Sequence, residues 1–195
     1  MSKVSHLGEF DLLVKVYFPT QRFPKGGLIT QQLNAMKVGD SLTIAKANSQ
    51  YVYKGNGCVF FSDSVKMKRY SKFSMVCGGS GITPIFQFIE HMLDEKRQHN
   101  ISLLFANKTE EDILLRRELE ELASASKIKL SFTLDVGNPQ WKGRVGFVSE
   151  QMFADFFDGP SDDHLLLACG PPMMMNDVRT IAKKLGFKES DVAIF

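Results

Sequence analysis

The chain has 195 residues, 44% hydrophobic and 24% charged, enough for two small domains or one large one, in the proportions of ordinary globular proteins. Its net charge of +2 is too small to argue for a nucleic-acid partner. No apolar run approaches the length of a membrane span, and the opening stretch Met1-Ser2-Lys3-Val4-Ser5-His6 lacks the apolar core of a secretory signal.

In chain order, residues 10–18 alternate, with Phe10, Leu12, Val14 and Val16 facing one way, and predict a strand. Gly26-Gly27 then turns the chain into a short helix over 28–36, closed by Gly39. Residues 43–45, 51–53 and 58–61 read as short strands, and the basic, polar stretch 62–72 as a linker or exposed crossing segment. Beyond it the rhythm changes. Strands are predicted at 73–77, 101–106, 129–134 and 165–169, followed by helices at 84–96, 110–123, 149–156 and 173–185. Pro84 suits a first helical turn, Thr109 and Ser149 suit caps, and Gly186 ends the last helix. Four strand–helix alternations point to a parallel sheet covered by helices.

Three cysteines, Cys58, Cys77 and Cys169, form no CxxC pair, so neither a four-ligand zinc site nor a disulfide framework is expected. They imply a reducing, cytosol-facing compartment. The histidines His6, His91, His99 and His164 are scattered and read as surface residues. No Ser–His–Asp arrangement or carboxylate pair supports hydrolase chemistry.

Two loops carry chemistry. Gly78-Gly79-Ser80-Gly81-Ile82-Thr83-Pro84 joins a strand to a helix. Its three glycines let the backbone approach a bulky ligand, and the helix behind offers free N–H groups to a phosphate. Taken alone, a Gly-rich strand-to-helix turn could equally be a tight structural turn; GxGxxG is absent, and so is GxxxxGK[ST], which excludes a P-loop ATPase. Cys169-Gly170-Pro171-Pro172-Met173 also follows a strand and opens a helix. Ligands of open parallel sheets lie beyond the carboxyl ends of the strands, so the two loops suggest one cleft. Cys169 either points its thiol into that cleft or is a buried, inert residue. Met174 and Met175 read as core filler. Asp135, at a strand tip, either accepts hydrogen bonds from ribose hydroxyls or begins the turn that follows. Lys15 with Gly26, Gly27, Leu28, Ile29 and Thr30 could bind a diphosphate or be a solvated lysine beside a plain loop.

The sequence 78–84 with Cys169-Gly170-Pro171-Pro172 and a terminal Phe195 resembles the ferredoxin-reductase-like flavoproteins, specifically the NADH–cytochrome b5 reductase and nitrate reductase group. Asp11-Leu12-Leu13-Val14-Lys15-Val16-Tyr17-Phe18, Leu104-Phe105-Ala106-Asn107-Lys108-Thr109-Glu110, Asp112-Ile113-Leu114-Leu115-Arg116 and Thr133-Leu134-Asp135 are similar to that group too.

The resemblance implies an α/β chain: a partial antiparallel β-barrel, the C-terminal part of a flavin domain over 1–62, then a parallel-sheet α/β NAD(H)-binding domain over 63–195. It implies NADH and FAD as cofactors, with hydride passing from nicotinamide C4 to flavin N5 and single electrons then going to a haem acceptor such as cytochrome b5 or a fused haem domain. Thr83 and Cys169 would be catalytic. Gly78, Gly79, Ser80, Gly81, Pro84, Asp135, Gly170, Pro171, Pro172, Met173 and Phe195 would bind NADH, with Asp135 favouring NADH over NADPH. Lys15, Tyr17, Gly26, Gly27, Leu28, Ile29 and Thr30 would hold the flavin diphosphate. The group's third proline is Met173 here, and its Arg-x-Tyr-Thr/Ser motif is missing, with Val4-Ser5 resembling the residues just after it. The chain is therefore expected to begin inside the flavin domain, to bind flavin weakly, and to lie in the cytoplasm or at a membrane's cytosolic face. A nucleotide-binding module without independent catalysis is the alternative.

Overall fold

A computed structural model describes residues 11–21, 23–45 and 49–195. The chain divides into two compact units, Met1–Asn48 and Ser49–Phe195. His6, Phe10 and Val4-Ser5 lie outside the described residues.

In the first unit the only helix among the described residues is α1 (Leu28–Ala35), which begins just after Gly27. Gly26 adopts φ +60°, and its amide neighbour Gly27 donates to the Tyr17 carbonyl at 2.8 Å. Of the strands expected at 10–18 and 43–45, the described residues 11–18 and 43–45 have no ladder partner among the described residues. An alternating pattern selects an extended chain, but a strand exists only when its N–H and C=O groups meet another strand. None of α1 is buried, and Phe18, Phe23, Leu28 and Ile29 are exposed.

The second unit opens with an antiparallel sheet of β1 (Tyr51–Gly55), β2 (Cys58–Phe61) and β3 (Lys66–Arg69), in that order. Asn56 and Gly57, both at positive φ, make the two-residue turn that matches strand twist. The expected linker 62–72 is corrected here: it contains β3, paired to β2 from Phe61↔Lys66 to Cys58↔Arg69. Its lysines are those of an edge strand, where charge is tolerated and discourages further pairing.

Six parallel strands follow: β4 (Lys72–Gly78), β5 (Asn100–Asn107), β6 (Lys129–Leu134), β7 (Arg144–Val145), β8 (His164–Cys169) and β9 (Val192–Ile194), in the order β7-β6-β5-β4-β8-β9. Helices α2 (Ile82–Leu93), α3 (Arg116–Ser124), α4 (Glu150–Phe156) and α5 (Pro172–Lys184) connect them. This antiparallel sheet followed by a helix-covered parallel sheet is the expected fold class. The predicted helix 110–123 is broken. A 3-10 turn over Glu110–Asp112 gives way at Ile113, Leu115 takes φ +55°, and α3 starts at Arg116. Arg116 bridges the break by pairing with Glu110 at 2.6 Å and Glu120 at 2.9 Å.

One face of the sheet packs Val76, Leu104, Leu166 and Ala168 under Phe153 and Phe156 of α4 and Val178 and Ile181 of α5. Each of the larger side chains, fully buried, contributes about 1.5–3 kcal/mol. Alternate residues Met75, Cys77, Leu103, Phe105, Leu165 and Leu167 are equally buried and face the other way. No helix among the described residues is long and apolar enough to cross a membrane.

Candidate functional site

The chain runs from β4 to β5 on one side and returns on the other to place β8 against β4. Connections leave such a pair in opposite directions, which opens a crevice beyond the carboxyl ends of the strands. Cys77 and Cys169 are register partners at that end, so the two Gly-containing loops emerge side by side.

Glycine lets them touch. A Cβ on Gly78 would stand 2.7 Å from Met174 Sδ and 3.0 Å from Pro171 Cδ, and one on Gly170 would stand 3.1 Å from the Gly78 nitrogen. On Gly81 it would collide with the Cys169 carbonyl group. Gly79 is different: at φ +52°, a Cβ there would meet nothing within 4 Å, so its backbone borders open space. Gly79–Gly81 forms a 3-10 turn leading straight into α2 with no side-chain cap. The helix N-terminus is thus presented beside exposed main chain, a cradle suited to an anionic phosphate.

Thr83 and Pro84 lie half-buried in the first turn of α2, where Thr83 Oγ1 donates to the Ser80 carbonyl at 3.0 Å. The threonine proton is therefore committed, and its lone pairs remain to accept. Cys169 is half-buried, and burial pushes its thiol up. Cys77 is fully buried, and its thiol is raised further, by burial and then by the neighbouring Cys169. Both stay neutral thiols at ordinary pH. Pro171 precedes α5 and Pro172 begins it. Met173 is exposed, Met174 packs against the core beside Gly78, and Met175 is buried.

Phe195 reaches the same end. Its N–H donates to the Ala168 carbonyl at 2.9 Å, extending β9, and its ring stands edge-on to Tyr51 at 5.3 Å and Phe88 at 5.7 Å. The segment before it is anchored by buried Asp191, which accepts from Lys68 Nζ at 2.6 Å and Tyr70 Oη at 2.9 Å. Asp135 follows β6, its N–H donating to the Asn107 carbonyl at 2.9 Å, and is half-exposed.

The residues expected on the flavin side lie in the first unit. Thr30 Oγ1 accepts from the Tyr17 N–H at 3.2 Å and donates to the Gly27 carbonyl at 3.0 Å, tying α1 to the preceding extended segment. Lys15 is half-buried and Tyr17 exposed. The Leu28 and Ile29 amides open α1 without a capping side chain, and Leu28 and Ile29 are themselves exposed. These features fit a diphosphate.

Besides Asp191, sequence reasoning missed the burial of Asn107, His164 and the His99 side chain. Asn107, at the tip of β5, is 5% exposed and has no partner on either carboxamide atom, a condition that costs about 1–3 kcal/mol per unsatisfied group. The expectation of surface histidines is corrected for two. His164 is buried between Ser74 Oγ at 2.8 Å and the Gly159 carbonyl at 3.0 Å, and burial lowers its pKa. The buried His99 side chain places Nε2 3.0 Å from Glu95 and 3.4 Å from Tyr53 Oη. The apolar sequence around His164 was the available sign. His91 is exposed.

The oxidoreductase NAD-binding domain family matches residues 75–180, and the oxidoreductase FAD-binding domain family matches residues 1–53. The cytochrome b5 reductase domain of Ulva prolifera nitrate reductase superposes with a TM-score of 0.90 at 32% identity, over 95% of this chain and 73% of that one. The chain belongs to the NADH–cytochrome b5 reductase and nitrate reductase family. Among curated members of that family, NADH-cytochrome b5 reductase 2 of Gallus gallus is 38% identical over 94% of this chain and 64% of its own length. Nitrate reductase [NADH] 1 of Zea mays is 42% identical over 89% of this chain and 29% of its own length. The chain thus spans less than two thirds of these curated reductases. Family membership agrees with the resemblance drawn from the two glycine loops, and the two domain matches agree with NADH and FAD as cofactors.

Proposed function

We propose that this chain is an NADH-dependent flavin oxidoreductase that delivers electrons to a haem protein such as cytochrome b5 or a fused haem domain. The observation that carries the reading is the meeting of two glycine loops at the β4/β8 crossover, with Phe195 alongside. A bound flavin supplies the acceptor for a hydride from NADH and the means of releasing electrons singly. The chain supplies position. The Gly79–Gly81 turn and the start of α2 hold the phosphates, and Asp135 takes ribose hydroxyls while disfavouring a 2′-phosphate. Thr83 Oγ1, its proton spent on Ser80, accepts from an amide donor such as the nicotinamide carboxamide. Cys169 contacts the ring as a neutral thiol, and Phe195 borders it. Lys15, Tyr17 and the first turn of α1 hold the flavin diphosphate. Three free cysteines suit work in the reducing cytoplasm.

Purified protein mixed with FAD and excess NADH is expected to reduce ferricyanide and cytochrome b5. Reduction of neither would refute the reading. A colourless protein that still binds NADH would be a nucleotide-binding module.

A further inference from the structure

Asn107 ends β5, on the opposite side of β4 from β8. Its backbone is in use: it is the ladder partner of Leu134, and its carbonyl accepts from Asp135. Its carboxamide is not. Among the described residues three buried side-chain polar atoms lack any partner, and two of them are Oδ1 and Nδ2 of this residue. A leucine of similar size would fill the same space with nothing left unsatisfied, so a buried amide with both ends open needs an explanation outside packing.

Its position supplies one. Ala106, one residue earlier, is the register partner of Gly78. By alternation the Asn107 side chain shares a face with Phe105, the partner of Cys77, which is in turn the partner of Cys169. The carboxyl edge therefore reads Asp135, Asn107, the glycine turn, Cys169. Strands lie about 4.8 Å apart, so a dinucleotide laid from Asp135 to Cys169 crosses about 14 Å and passes β5 and β4 at its middle. A carboxamide offers that middle both things it asks for, N–H donors for phosphate oxygens and an acceptor for a ribose hydroxyl.

We infer that Asn107 is a further dinucleotide-binding residue, its carboxamide hydrogen-bonding the diphosphate–ribose segment between Asp135 and the glycine turn. This rests on the NADH reading above. It adds a residue on β5 to the central part of the ligand, beside the phosphate cradle formed by the glycine turn after β4.

The test compares wild-type protein with Asn107→Ala and Asn107→Leu, titrated with NADH and separately with ADP-ribose, alongside melting curves of the unliganded proteins. Both variants are expected to bind both probes about ten-fold more weakly, the loss of one or two hydrogen bonds. Their unliganded melting temperatures should be unchanged or higher, because a buried unpaired amide has been removed. Wild-type Kd values in both variants would overturn the assignment, as would a lowered melting temperature in both with Kd unaltered, the mark of a structural amide. If wild-type protein binds neither probe, the NADH reading fails and this inference with it. Wild-type binding with unaltered variants overturns the role of Asn107 alone.

Discussion

Gly81 lies against the carbonyl group of Cys169, with no room for a Cβ between them. Its φ of −61° is open to any residue, so the glycine is required by contact and not by backbone conformation. Gly81→Ala should therefore push the two glycine loops apart. The expected cost is about 1–3 kcal/mol of stability, as for other overpacked sites, with weaker NADH binding. Chemical denaturation and an NADH titration of the same variant measure both. An unaltered midpoint and Kd would mean that the loops yield freely.

Asp135 is set two strands from the glycine turn, at the tip of β6. Asp135→Ala should lower the preference for NADH over NADPH about ten-fold, mainly by relieving repulsion of the 2′-phosphate. The ratio of kcat/KM values for the two coenzymes is the readout, and an unchanged ratio counts against the role of Asp135.

Burial raises the pKa of Cys169 and holds it as a thiol and not a thiolate. Cys169→Ser is expected to lower kcat about ten- to a hundred-fold through a displaced ring while changing NADH affinity little. A loss confined to affinity would make it a binding or packing residue. The same burial makes alkylation by iodoacetamide slow at pH 7 and faster as pH rises and the thiolate forms. Peptide mapping after timed alkylation distinguishes Cys169 from the fully buried Cys77.

His164 gives the fold a pH dependence. Burial lowers its pKa, partly opposed by the Gly159 carbonyl. As pH falls through about 6.5 the unfolded chain takes up a proton that the folded chain refuses, so stability falls on acidification until the folded-state pKa is reached. Melting temperatures should drop between pH 7 and pH 5, and His164→Gln should reduce the slope. A slope identical to wild type would show that other groups dominate.

The α/β core was legible because its strands are continuous apolar runs and its helices are punctuated by Pro84, Ser149 and Gly186. What escaped detection did so for physical reasons. β3 carries three basic residues in four and reads as solvent-loving linker, yet an edge strand needs only its main chain paired. β7 and β9, two and three residues long, are too short to show a period. Ile113-Leu114-Leu115 continues a helical pattern, but extended backbone at Ile113 and a left-handed turn at Leu115 interrupt it. At the site, the glycine loops were readable because glycine reports a geometric demand. Asn107 was not, since its meaning lies in the partners it lacks, and no residue type announces that.

The place of β4 in the sheet also bears on how the protein is made. It is the first of the six parallel strands to be synthesised and sits between β5 and β8, yet β8 lies roughly ninety residues downstream. Until that segment exists, Phe73, Met75 and Cys77 have a neighbour on one side only, leaving an apolar edge open to mispairing. Closing so long a loop delays the final docking, because its entropy must be lost before the contacts form. The ability to bind nucleotide should therefore be the last property recovered on refolding, because the crevice appears only when β8 arrives.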